Sequence, residues 1–176
     1  MQIGPYKLYS IETSEFALDG GAMFGIIPKP LWEKEVPADD KNRIQMVTRS
    51  LLLVSEENKI IIDTGNGSKW QEKFKDIYKI DLENLNLERS LGIYGFTPED
   101  ITDVYCTHLH FDHVGGNTKI VNGKLEPVFP NATYWVQTEN WDLANSPSEK
   151  DAGSFMSADW SVLLENNMIH FVDGKE

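Results

Sequence analysis

The hydrophobic positions of this chain change period several times, and each change predicts an element. Tyr6–Phe16 alternates loosely between apolar and polar residues, which predicts one or two strands. Ile44–Val54 and Lys59–Asp63 are apolar runs separated by Glu56-Glu57-Asn58, so they predict a hairpin. From Ser68 to Tyr78, the residues Trp70, Phe74, Ile77 and Tyr78 recur at spacings of 3 and 4, an amphipathic helix. Thr97-Pro98-Glu99-Asp100 is a helix start, with a capping hydroxyl, proline at the first helical position and acids at the positive end of the dipole. Asp103–Thr107 predicts a short buried strand, and Asn122-Gly123 a turn joining Lys119–Val121 to Leu125–Phe129. Thr133–Gln137 and Met168–Val172 read as strands, with helices over Thr138–Ala144 and Ser154–Asn166. Gly20–Lys29 reads as a glycine- and proline-punctuated loop, and Pro30–Arg43 as charged, irregular chain. Strands first, then strands and helices in alternation, indicate an α/β (α+β) fold.

At 176 residues the chain can bury a substantial core and is expected to form one domain over 1–176. Its net charge of −12 argues against a basic groove for nucleic acid and against attraction to an anionic membrane. No apolar run reaches the length of a membrane span, and Met1–Lys7 lacks the basic-then-apolar order of a signal peptide. With Cys106 as the sole cysteine no intrachain disulfide can form, which suits a reducing compartment, so a cytoplasmic location is expected. Cys106 itself reads as a buried thiol packing as a small hydrophobe, with a nucleophile beside His108 as the sharper alternative. Among the tryptophans, Trp70, Trp135, Trp141 and Trp160 are expected in the core, and Trp32 is a candidate cover for a site.

The chemistry concentrates in Thr107-His108-Leu109-His110-Phe111-Asp112-His113-Val114-Gly115-Gly116, which holds three of the four histidines. Residues two apart in extended chain face one side, so His108/His110 and His110/Asp112 can share a cavity while His113 turns to a neighbouring position. Four ligands from so short a segment crowd one tetrahedral zinc and suit two ions roughly 3.5–4 Å apart. The run follows a predicted strand, where α/β sheets build sites, and Gly115-Gly116 permit close backbone approach. A histidine-rich loop without metal is the bland alternative. The fourth histidine, His170, reads as structural or surface.

At these residues the chain resembles the metallo-β-lactamase-fold hydrolases, whose His-x-His-x-Asp-His signature is the run just quoted. Gly20–Lys29, Arg49–Val54 and Ile60–Gly65 are similar to the lactonase-like branch, which includes quorum-quenching N-acyl-homoserine lactonases. The resemblance implies that His108 and His110 hold a first metal and Asp112 and His113 a second. It implies that Asp63, after the strand Ile60–Ile62, braces the metal loop without touching metal. The ions would be Zn2+, two per complete site, with Fe, Mn or Co as other possibilities. The implied reaction is hydrolysis in which a metal-activated hydroxide opens an ester or lactone such as an N-acyl-homoserine lactone. Asp112 would then help orient the nucleophile and shuttle a proton. Met23 and Phe24 would lie near the substrate channel, although packing is an equal reading for both.

The family fold is an αββα sandwich of two similar halves, and the resemblance gives this chain roughly the amino-terminal one. The family takes its further histidines and a bridging aspartate from later motifs, typically Gly-His-Thr-Pro-Gly-His, and none is present up to Glu176. The domain is therefore expected to be incomplete at its carboxyl end, and a homodimer or a complementary C-terminal half is a candidate partner alongside a small-molecule substrate. Two alternatives stay open: an inactive or partner-dependent metal-binding half, and a phosphoester hydrolase.

Overall fold

The structure, a computed structural model, describes residues 1–174; the expected end at Glu176 lies outside the described residues. The short strand β1 (Gln2–Ile3) leads into β2 (Tyr6–Asp19), followed by the helical turns α1 (Gly20–Phe24) and α2 (Lys29–Trp32). Next come β3 (Arg43–Val54), β4 (Lys59–Ile62), α3 (Glu72–Tyr78), α4 (Leu87–Ile93) and β5 (Asp103–Tyr105). The turn α5 (Phe111–Val114) precedes the hairpin β6 (Thr118–Val121) and β7 (Lys124–Pro127). The described chain closes with β8 (Thr133–Gln137), α6 (Thr138–Asn145), α7 (Ser161–Glu165) and β9 (Ile169–Val172).

Seven strands form one sheet in the order β1-β2-β3-β4-β5-β8-β9, and β6-β7 stand apart as a two-stranded ladder. Pairing is antiparallel from β1 to β4 and parallel from β4 through β5 and β8 to β9. The sheet has two unlike faces. Leu52, Ile61, Val104 and Tyr134 lie in register on one face and are buried there with Leu87, Leu91, Ala144 and Leu163 from α4, α6 and α7. Each of the leucine, isoleucine and valine side chains contributes about 1.5–3 kcal/mol by leaving water. The other face carries Tyr105, Trp135 and His170 side by side, with ring centroids 5.5 and 4.5 Å apart, and Tyr105 is exposed. His170 is thus a surface residue whose ring lies tilted against Trp135.

Several elements differ from the sequence expectation, each for a tertiary reason. The first strand runs unbroken through Tyr6–Asp19, with a register shift between Glu12 and Ser14. Gly20–Phe24 is a helical turn because Asp19 Oδ1 accepts from Ala22 N at 2.8 Å, a cap that offsets the poor propensity of two glycines. The helix expected from Ser68 starts only at Glu72, since Lys69 and Trp70 are drawn into contacts elsewhere. The Thr97 start yields a single 3-10 turn, Pro98–Asp100, closed by a capping box. Ser154–Asn166 is broken into short 3-10 turns and α7, because Ala158 and Asp159 bond to other segments. Of the tryptophans, Trp160 and Trp32 are buried; Trp70, Trp135 and Trp141 are half-buried. Trp32 sits under the Gly20 turn as a core residue. Among the described residues no helix is long and apolar enough to cross a membrane.

Candidate metal centre

Parallel pairing of β4 and β5 sets Ile62 opposite Tyr105, so the two carboxyl ends open side by side. Asp63 leaves one and Thr107 the other. Asp63 has a left-handed backbone, φ 58°, a conformation aspartate tolerates better than most residues. Its carboxylate accepts from Thr107 N at 2.9 Å, from Thr107 Oγ1 at 2.8 Å and from His113 Nδ1 at 2.8 Å. Donation from Nδ1 fixes the ring and leaves Nε2 directed elsewhere.

The extended-chain pattern holds for His108 and His110, whose rings lie together, but not for His113. The α5 turn starts immediately after His110 and carries His113 back against His108, with ring centroids 3.8 Å apart. His110 lies 4.6 Å from His108 and 4.7 Å from the Phe155 ring, both in edge-to-face contact. The expected separation of His113 from the pair is therefore corrected: one helical turn closes the distance that an extended chain would keep. Asp112 Oδ2 lies 3.6 Å from His113 Nε2 at the edge of the cluster. Among the described residues, no group of three or more His, Cys, Asp or Glu side chains is placed so that it could hold a metal ion. The arrangement is an open set of donors on one side.

Its electrostatics suit a cation. Burial, followed by the neighbouring His113 and His110, pulls the His108 imidazole below its ordinary value, so it is neutral near pH 7. Burial also opposes charge on His113, but the Asp63 bond and the Asp112 carboxylate outweigh it and hold that ring above its ordinary value. A metal competes with this proton, as it does for any imidazole ligand. Imidazoles with one carboxylate form a donor set that zinc, iron, manganese or cobalt accepts. The types of donor, rather than their placement in this structure, match such an ion.

The backbone around the cluster is pinned by the loop after β4. Thr64 N and Gly65 N both donate to His113 O, at 2.6 and 3.2 Å, and Gly116 N donates to Gly65 O at 3.0 Å. A Cβ on Gly67, φ 63°, would stand 2.0 Å from Gly115 O, so only glycine permits this approach. Leu109 N is held by Asn140 Oδ1 at 2.9 Å, and Thr64 Oγ1 donates to Asn117 Oδ1 at 3.0 Å. Thr107, Asn117, Asn140 and Phe155 were not legible as site residues. The run Asp63-Thr64-Gly65-Asn66-Gly67 was the only available signal, since so dense a turn cluster after a buried strand marks a specialised loop. Cys106 is buried, and burial pushes its thiol up to about 12, which fits the packing reading and makes the thiol a poor nucleophile.

Residues 44–172 match the family described as the metallo-beta-lactamase superfamily. The chain belongs to that superfamily. Its fold is the metallo-beta-lactamase fold: a probable metal-dependent hydrolase from Staphylococcus aureus superposes with TM-score 0.84 and 30% identity, over 98% of this chain and 61% of that one. AidC, a dizinc quorum-quenching lactonase whose structure holds the product N-hexanoyl-L-homoserine, superposes with TM-score 0.73 at 21% identity, over 100% of this chain and 61% of that one. In sequence, an N-acyl homoserine lactonase of Bacillus cereus is 31% identical over 90 residues, 46% of this chain and 36% of the relative. This metallo-beta-lactamase chain thus spans about three fifths of its structural neighbours and a smaller share of that lactonase.

Met23 and Phe24 stand apart from the imidazoles. Phe24 stacks on Trp32 at 4.8 Å, and Met23 lines a cavity with Tyr78. The Tyr78 ring packs at 5.1 Å on Phe111, which lies between the ligand candidates.

Proposed function

We propose that this chain carries the first part of a metal-dependent hydrolytic site that opens an ester or lactone, an N-acyl-homoserine lactone being the leading substrate. The carrying observation is the packed trio His108, His110 and His113 with Asp112 at its edge, oriented from behind by Asp63. His108 and His110 would hold one ion and Asp112 and His113 a second, zinc being the first choice. When bound, such ions lower the pKa of water toward neutrality and polarise a carbonyl oxygen. Asp63 would keep the His113 Nδ1 proton in place, so that Nε2 stays free for metal. Asp112 would orient the attacking water and pass a proton at Oδ2 to the departing alkoxide of the opened ring. Met23 and Phe24, on the Gly20 loop, would contact the apolar part of the substrate. The remaining ligands would come from outside the described residues, in further chain of the same domain, a complementary chain or a second copy. The single buried Cys106 suits the cytoplasm as the place of work. The relatives named here are lactonases where their names give a substrate, which favours a lactone over the phosphoester alternative.

The test is metal content after dialysis, with lactone opening followed by proton release on the same sample, before and after chelation. Retained zinc with chelator-sensitive turnover supports the reading. Tight zinc without turnover on any lactone or aryl ester supports metal binding and overturns catalysis by this chain alone. No zinc uptake at all overturns the site.

A further inference from the structure

Lys69 has no part in the ligand set, yet it is 9% exposed and its partner Asp159 only 2%. The three Nζ hydrogens are all engaged. One pairs with Asp159 Oδ1 at 2.9 Å, one reaches Thr118 O at 3.0 Å and one reaches Gly115 O. Gly115 directly follows the α5 turn that positions His113, and Thr118 begins β6. Burial draws the Lys69 ammonium below its ordinary value and pushes the Asp159 carboxyl above its own, with their mutual attraction opposing both.

As a source of stability alone this pair is poorly built. Asp159 Oδ2 is buried and accepts no hydrogen bond among the described residues. Well-packed apolar residues of the same volume commonly serve stability as well as or better than a buried ion pair. An apolar pair could not bond two backbone carbonyls. The same loop also controls the other end of the segment, where Asp63 holds Thr107 and His113 and Thr64 and Gly65 hold the His113 carbonyl. Asp63 and Lys69 therefore grip the ligand-bearing segment from before its first histidine to beyond its last.

We infer that Lys69 is a positioning residue for this segment: it fixes the Gly115–Thr118 backbone behind His113, and Asp159 keeps Nζ aimed at those carbonyls. The inference rests on the proposed reading that His108, His110, Asp112 and His113 bind metal. Its test begins without metal, so that the two can fail separately.

Amide hydrogen exchange is followed by NMR in the metal-free chain and in a Lys69→Met/Asp159→Leu variant, which removes both charges together. Exchange at Thr64, Gly65 and Gly116 is expected to rise about tenfold or more while Leu52 and Ile61 keep their protection. Lys69→Arg retains donors, has the roughly 130 Å3 cavity alongside to grow into, and is expected to restore protection largely. If the apolar pair does not fold, Lys69→Gln/Asp159→Asn replaces it, since glutamine is too short to reach both carbonyls. Unchanged exchange at the three amides in a folded charge-free variant would overturn the inference and leave the pair as packing. A second arm titrates cobalt(II) and records its visible spectrum. The charge-free variant is expected to bind about tenfold more weakly, with an altered spectrum, in the range of outer-shell effects on ligands. A parent chain that takes up no cobalt overturns the metal reading only, and the exchange result then decides the role of Lys69 by itself.

Discussion

Two loops of this chain, one bearing the proposed ligands and one standing apart from them, are held in different ways. The segment from Thr107 to Thr118 is fixed by short directional bonds to buried or half-buried partners: Asp63, Thr64, Gly65, Lys69 and Asn140. The segment from Gly20 to Trp32 is fixed at one end by the Asp19 cap and inside by Phe24 stacked on Trp32, while Met23, Ile26, Ile27 and Leu31 face outward. The first arrangement sets the positions of polar atoms closely. The second sets the position of a surface but leaves its side chains free to adapt. Ligands to an ion need the former, since their geometry is worth large factors in affinity; contact with a flexible apolar chain needs only the latter.

The largest effects should therefore fall on the pinned segment. Lys69→Met on its own strands the Asp159 carboxylate in the interior and is expected to cost about 3–5 kcal/mol in urea unfolding. A loss below about 1 kcal/mol would mean that the pair is not desolvated and would weaken the contrast. Gly67→Ala is next. The added Cβ collides with the Gly115 carbonyl at 2.0 Å and takes a left-handed backbone, so a loss of about 2–4 kcal/mol is expected by thermal unfolding.

Asp63→Asn should shift the effect from folding to binding. The amide can still bond Thr107 but no longer presents a carboxylate to His113 Nδ1. Zinc affinity, read by competition with a chromophoric chelator, is expected to fall about 10–100-fold. An unchanged affinity would break the link between pinning and the ligand set.

On the adaptable loop, Phe24→Ala loses one aromatic stack and is expected to cost about 0.5–1.5 kcal/mol, visible as a change in Trp32 emission. If the chain turns over a lactone, this variant should raise KM more than it lowers kcat. The smallest effect is a pH dependence. The Asn42 side chain, then the Ala22 amide, hold the Asp19 carboxyl below its ordinary value of 3.8. Asp19 thus lends the Gly20 turn support that is complete above pH 3.8 and is lost as pH falls through the lower folded value. Asp19→Asn should flatten that acid limb in a pH series of unfolding curves.

Much of the framework was readable from periodicity. The hairpin of β3 and β4, the strands β5, β8 and β9 and the helix α6 all lie close to where the sequence pattern places them, with Leu52, Ile61, Val104, Tyr134 and Ala144 buried in one core. The helix expected over Ser68–Tyr78 lost its first turn, and the one over Ser154–Asn166 was divided. In both, the deciding residues were polar: Lys69 and Asp159 leave their local helices to meet each other, an interaction between positions 90 residues apart that no local pattern encodes.

The sequence by itself determined the strand and helix framework, the four ligand-type residues in six positions and the turn cluster Asp63–Gly67. These follow from local chemistry: side-chain period, capping groups and the metal preference of imidazole and carboxylate. Only the tertiary structure decided that His113 folds back onto His108, that the Asp63 carboxylate accepts from its Nδ1, and that Lys69 reaches the Gly115 and Thr118 carbonyls behind it. Each of these depends on two parallel strands ending side by side, and that adjacency is set by burial of the whole sheet face.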